Sequence, residues 1–316
     1  MLKVKSWVNA IALCFVLVAL FTGCSSDKTK EPKNSVTFTD SLNRTVTVEK
    51  KPQRVACLIG SFADVWQLAG GTVCASADDA WDDFGLDMGD AVNLGKTKEP
   101  NVELLLASDP DFVIASSATA ANVEMKDTLE NAGITVAYFD VGCFDEYLDM
   151  LNICTDITER KDLYEKNGLE VKKLIDSTKE EFMKLNIPEE KKTVLFLRAS
   201  SGYIRAKNSD GAILGTMLKE LGFINIADSD SSLLENLSIE SIIKSNPYRI
   251  FIVQVGDDPI AVKNNISTMM EENPAWYELD AVKENRIHYM DKRLFNLKPN
   301  ARWNESYEIL CDILQK

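Results

Sequence analysis

The chain has 316 residues, 45% of them hydrophobic and 27% charged, with a formal net charge of −14. That is enough apolar material for one or two domains with substantial cores. The acidity and the lack of a basic run argue against nucleic-acid binding, yet they name no ligand, because acidic surfaces are often only solvated faces.

The first residues read as a targeting segment. Lys3 and Lys5 make a short basic start, and Ile11 to Phe21 is an apolar run of eleven residues, shorter than the ~20 that span a bilayer. Phe21-Thr22-Gly23-Cys24 resembles a bacterial lipobox, with Phe21 in place of the usual leucine. It implies a diacylglycerol on the Cys24 sulfur and cleavage after Gly23, with an ordinary signal peptide or a buried helix carrying a chance cysteine as the alternatives. Residues 1–23 are then a lipoprotein signal, and residues 24–35 a lipidated cysteine with a polar, flexible tether. The folded part would work on the extracytoplasmic face of the cell membrane, held by its lipid. Beyond Cys14 and Cys24 the chain keeps Cys57, Cys74, Cys143, Cys154 and Cys311. An odd number without Cys-x-x-Cys spacing favours neither a disulfide framework nor a zinc site.

In chain order, Val36 to Asp40 and Thr45 to Val48 alternate like two strands around a turn at Ser41-Leu42-Asn43-Arg44. Arg54 to Ile59 is a short buried-strand run, followed by a helical pattern from Phe62 to Leu68 closed by Gly70-Gly71. Asp111 to Ala115 repeats the strand, Val123 to Asn131 the helix and Thr135 to Phe139 the next strand. Such alternation predicts a parallel sheet in an α/β domain. From Ile157 to about Leu185 there is no proline and one glycine, Gly168, with charges surrounding a spaced apolar set. One helix there would be ~42 Å long; two shorter helices broken at Gly168 are the alternative. The α/β pattern then resumes, with strands at Thr193 to Leu197, Ile250 to Gln254 and Arg286 to Met290, and helices at Ala212 to Leu221 and Trp303 to Gln315.

The halves echo each other. Asn101 to Ile114 and Leu237 to Ile252 both read as a short amphipathic helix with an early glutamate, then Asp-Pro or Asn-Pro, then a strand. Glu103 and Glu240 occupy the same place, where a carboxylate also suits the helix dipole.

The lipobox signal, Arg54-Val55 opening a strand, the two Glu–Pro–strand units and the long linking helix resemble the periplasmic-binding family for iron–siderophore, haem and cobalamin, over residues 36 to 316. The resemblance implies two Rossmann-like α/β lobes, residues 36–156 and 188–316, joined by one rigid helix over 157–187, with the ligand in the cleft between them. It implies that Glu103 and Glu240 engage arginines on the permease dimer of an ABC importer, and that the protein is a monomer without enzymatic activity or a cofactor of its own.

In parallel α/β sheets ligands bind beyond the carboxyl ends of the strands. The loops at those places offer Ser61, Trp81 and Phe84 in the first half, and Arg198, Tyr203, Arg205, Phe295, Lys298, Arg302 and Trp303 in the second. The second set gathers cations and aromatics in an acidic chain, which suits a large, partly apolar, anionic chelate. Any one of these residues would serve equally as surface or core. His288, the only histidine, lies inside the last strand, which argues against a site for bare zinc or manganese, since these use several histidines. No Ser-His-Asp set, phosphate loop or His-Glu-x-x-His motif is legible. The expected function is capture of a metal chelate, a ferric siderophore first, then cobalamin, another corrinoid or haem. An extracellular enzyme or a sensor lipoprotein on the same scaffold is the alternative of a different class.

Overall fold

The computed structural model describes residues 34–256 and 258–316. The predicted signal, Cys24 and all but the end of the tether lie outside the described residues.

Strands β1 (Ser35–Thr39) and β2 (Thr45–Glu49) form the expected antiparallel hairpin. Its turn closes on Asp40, whose carboxylate accepts the Leu42 and Arg44 backbone N–H groups at 3.0 Å each and pairs with the Arg44 guanidinium. Asn43 takes the left-handed conformation, φ 59°, which asparagine tolerates better than most residues.

Two parallel sheets follow. The first runs in the order β5 (Val92–Asn93), β4 (Val73–Ser76), β3 (Val55–Cys57), β6 (Phe112–Ser116), β7 (Thr135–Phe139). The second runs β10 (Ile224–Asn225), β8 (Thr193–Ala199), β11 (Arg249–Gln254), β12 (Ile287–Met290), with β9 (Ile204–Ala206) antiparallel to β8. The central strands are almost wholly apolar and buried, as strands covered on both faces must be. Helices cover those faces, and the result is the two-lobed α/β fold.

The lobes are joined by Lys161–Tyr164, a π-helical turn at Glu165–Leu169 and Glu170–Met183, a nearly continuous helix of roughly 34 Å at 1.5 Å per residue. Its start corrects the sequence-based boundary. Ile157 and Thr158 end the preceding helix, Phe144–Thr158, and Glu159 breaks the path with φ 61°. Gly168 does not break the helix either. A Cβ there would sit 2.7 Å from Leu148 Cδ1, so the glycine lets the two helices close on each other. The wider turn leaves the Asn167 carbonyl to accept the Tyr147 hydroxyl at 2.8 Å.

One apolar core runs through the whole assembly. It includes Phe62, Trp66 and Tyr147 of the first lobe, Val171, Ile175 and Phe182 of the linking helix, and Phe196, Phe251 and Tyr307 of the second lobe. Smaller cores, around Leu105 and Tyr138 and around Ile250 and Trp276, fill the remaining sheet faces. The shared core is the physical reason for a stiff junction, because close-packed interiors resist small displacements.

Candidate ligand-binding cleft

A cavity of about 550 Å³ lies beyond the carboxyl ends of both sheets, the position where parallel α/β sheets receive ligands. The first lobe supplies Ala118 after β6 and the segment from Asp140 to Glu146 after β7. The second supplies Phe196 and Arg198 on β8, Lys207 just past β9, the start of the Ile213–Glu220 helix, and Phe295, Asn296 and Lys298 after β12.

Charge on the two walls is opposite in sign. Asp140 and the exposed Glu146 stand on the first-lobe side, where one Glu146 oxygen accepts the Gly142 and Cys143 N–H groups at 2.6 and 3.1 Å. The second-lobe wall is cationic, and strand alternation explains why. Arg198 lies directly opposite Arg205 in the β8–β9 register, and the Lys207 N–H donates to the Phe196 carbonyl. Phe196, Arg198, Arg205 and Lys207 therefore share one face. Like charges directly opposite each other destabilise a strand pair.

Among the described residues Arg198, Arg205, Lys207 and Lys298 form no ion pair, while most other cationic side chains find a carboxylate. Arg198 Nε is buried with no hydrogen-bond partner, a costly state for a donor on a charged group. Burial pushes the Lys207 ammonium below its usual range, and the Arg198 and Arg205 charges push it further. Burial likewise lowers Lys298, with Asp140 opposing and Arg198 adding to the effect.

Of the ten candidate ligand residues, Arg198, Phe295 and Lys298 line this cavity. Arg205 shares the Arg198 face, and Tyr203 sits exposed at the hairpin tip with the Arg205 guanidinium 5.1 Å from its ring centroid. The others are elsewhere. Trp303 is a correction: it is wholly buried, packed against Phe144 and Tyr307 in the interlobe core. Arg302 is a second, turned to the surface and paired with Glu305 at 2.7 Å. Ser61 is a third, buried in the first turn of the Gly60–Leu68 helix. Trp81 packs against the core, and Phe84 lies 3.9 Å from the Arg293 guanidinium, so neither lines the cavity. The sequence places Asp140, Lys207 and Asn296 in the loops at this end of the sheets without singling them out as ligand residues, and it gives no signal for Glu146. Lys207 was findable, because it follows Arg205 by two residues and so shares its face.

Glu103 and Glu240 are exposed in the first turns of matched helices, Val102–Ala107 and Ile239–Ser245. Asn101 and Ser238 cap these helices, accepting from Leu104 N at 2.9 Å and Ser241 N at 3.3 Å. Asp109 and Asn246, each before a proline, stop them in the left-handed conformation at φ 47° and 39°. A helix that leads back into a parallel strand starts at the sheet's carboxyl edge, so both glutamates stand at the cavity end of their lobes.

His288 lies on β12 with its ring 5.2 Å from that of Phe251, outside the cavity lining. The described cysteines are all free. Cys143 lines the cavity, where burial raises its thiol. No helix among the described residues is long and apolar enough to cross a membrane.

The sequence profile of the periplasmic binding protein family matches residues 55–294. The chain belongs to that family. It is 29% identical over 306 residues to a Fe(3+)-citrate-binding protein of Bacillus subtilis, covering 89% of each chain. It is 22% identical to a putative ABC transporter substrate-binding lipoprotein of the same organism, covering 97% of this chain and 96% of that one. Among solved structures, SirA of Staphylococcus aureus complexed with staphyloferrin B superposes with a TM-score of 0.64 at 21% identity, over 88% of this chain and 96% of that one. That likeness supports the two-lobed fold. This binding protein accordingly belongs with the substrate-binding proteins of ABC transporters, which take up a ligand for transport and do not convert it.

Proposed function

We propose that this binding protein captures an anionic ferric chelate, a siderophore of carboxylate type or a citrate-like complex, and delivers it to the permease dimer of an ABC importer. The observation that carries this reading is the unpaired cationic wall, with the buried, partnerless Nε of Arg198 at its centre. Such a wall is destabilising when empty, and an anion that enters it relieves both the repulsion and the missing hydrogen bond. The size fits as well, since about 550 Å³ lies within the range of small-molecule sites. Phe196 and Phe295, both buried, back the cavity wall with apolar core. The Fe(3+)-citrate-binding relative agrees with this chemistry.

Glu103 and Glu240 are the docking residues in this reading, one per lobe, facing arginines of the permease. Exposed ion pairs contribute only ~0–1 kcal/mol each, so their role is register and steering. The lipid on Cys24, in keeping with the lipoprotein relative, would hold the protein at the extracytoplasmic face of the membrane, close to its partner.

Calorimetric titration of the purified protein with ferric citrate, a neutral ferric trihydroxamate, haem and cobalamin tests the ligand class. Ferric citrate should bind, and its affinity should fall as salt rises. Equal or tighter binding of the neutral chelate, with no salt dependence, would remove charge as the basis of recognition.

A further inference from the structure

The segment from Lys292 to Arg302 follows the last strand of the second lobe, yet it is fastened to the first. Lys292 Nζ lies 2.6 Å from Asp83 Oδ1. Arg293 Nη2 donates to Asp64 Oδ2 at 2.9 Å, across 229 residues of sequence, while its guanidinium rests 3.9 Å from the Phe84 ring centroid. Asn300 is buried in the left-handed conformation at φ 55°, and its Nδ2 donates to both the Ser61 carbonyl and Asp64 Oδ2 at 2.8 Å. Backbone held in a sparsely populated region persists where the surroundings over-determine it.

Between these fastenings the segment passes through the cavity, to which it contributes Phe295, Asn296 and Lys298. Arg293 spans the two functions. One terminal nitrogen holds Asp64, and the other, Nη1, donates to the carbonyl of Lys298. A planar guanidinium can serve two acceptors in fixed geometry, which an ammonium cannot reproduce from one point.

Resting on the anionic-chelate reading above, we propose that Arg293 is a positioning residue: with Asp64 and Asn300 it clamps the ligand-facing Lys298 to the first lobe. The consequence concerns how the site senses charge. Arg198, Arg205 and Lys207 ride on the second sheet, whereas Lys298 is referenced to the first lobe. The four cations lie on one wall, facing Asp140 and Glu146 on the other. An anion bound among Arg198, Arg205, Lys207 and Lys298 is then held from both lobes at once.

The test is a double-mutant cycle on ferric citrate affinity, measured by calorimetry on the full-length protein with thermal melting as a check on folding. Lys298→Gln should weaken binding about tenfold. Arg293→Lys keeps a positive charge beside Asp64 but loses the second donor, and should weaken binding several-fold. In the Lys298→Gln background Arg293→Lys should change affinity by less than about twofold, because the ammonium that the clamp positions is already gone although the carbonyl it holds remains. Equal effects of Arg293→Lys in both backgrounds, or none in the wild type, overturn the clamp. Should Arg293→Lys fail to fold, Asp64→Asn takes its place in the same cycle, with the same outcomes decisive. Wild-type protein that does not bind ferric citrate would instead sink the ligand reading, which keeps the two failures distinct.

Discussion

In the first lobe the free edge of β3 is covered by one strand, β4, whereas in the second the matching edge of β8 is divided, with β10 at its start and β9 at its end. The remaining order is the same, since β3, β6 and β7 correspond to β8, β11 and β12. The difference lies where the ligand would be. β9 turns back over the carboxyl end of its sheet and adds Arg205 and Lys207 to the face of Arg198. The first lobe, lacking such a hairpin, offers backbone, Asp140 and Glu146. On the proposed reading, a scaffold repeated in outline carries docking at matched positions and its ligand chemistry at an unmatched one.

That division predicts separable losses. Reversing both matched charges, Glu103→Lys with Glu240→Lys, should abolish uptake of iron chelate by cells while ligand affinity measured on the purified protein stays within about twofold, because neither residue lines the cavity. Unchanged uptake would remove the docking role. A single reversal should leave partial uptake if the lobes contribute alike. On the unmatched side, Arg198→Ala should weaken ferric citrate binding by roughly ten- to a hundredfold, as removal of a buried charged donor does, and should lessen the salt dependence. It should also raise the melting temperature of the empty protein, since it removes repulsion against Arg205 and Lys207. A fall in both affinity and stability would mean that Arg198 is mainly a packing residue.

Both lobes also place a glycine where the helix following the first strand meets its neighbour. A Cβ on Gly60 would lie 2.5 Å from Ala80 N, and one on Gly215 2.7 Å from Ser209 Cα. The obstacles are backbone, so they cannot rotate away. Gly60→Ala and Gly215→Ala should each cost ~1–3 kcal/mol in denaturant unfolding, and the first should disturb the cleft less because residues 60 and 80 do not line it.

The fold was readable in the sequence because the strands that decide it, at residues 112–116, 135–139, 193–199 and 249–254, are continuous apolar runs set off by helices. The weak elements escaped for physical reasons. β4 is Val-Cys-Ala-Ser, without the bulk that marks a strand, and β5 and β10 are two residues each. The helix Phe144–Thr158 was passed over because its polar residues mask a buried stripe of Phe144, Tyr147, Leu151 and Cys154. At the site, positive charge was readable as a cluster, but burial was not. Trp303 and Lys298 stand five residues apart in one aromatic and cationic stretch, yet a helix turns the first into the interlobe core and the preceding loop leaves the second in the cleft. Only the register of β8 with β9 separates Lys207 from a surface lysine.

The smallest effect sharpens the comparison most. In each lobe an aspartate after the strand beside the first one reaches back to a backbone N–H at or just ahead of the lobe's first helix: Asp79, after β4, accepts from Gly60 N at 2.8 Å, and Asp228, after β10, from Ser209 N at 2.7 Å. Asp228 is exposed and Asp79 is not. Burial raises Asp79 to about 6, more than the Gly60 hydrogen bond can offset, and Asp83 and Asp78 add to the rise. A carboxyl with a raised folded-state pKa binds its proton more tightly folded than unfolded, so it favours folding as pH falls from above 6 toward 4 and penalises it at neutrality. Asp79→Asn keeps an oxygen for Gly60 and removes the charge. It should stabilise the protein at pH 7 by up to about 2 kcal/mol, and the gain should vanish by about pH 4, where the wild-type carboxyl is protonated. Asp228→Asn, at the matched but solvated place, is the comparison variant. Melting curves of both variants between pH 4 and 8 decide it: parallel behaviour would mean that the two lobes present equivalent environments here, and a loss of stability in Asp79→Asn at pH 7 would mean that the Gly60 hydrogen bond needs the full negative charge.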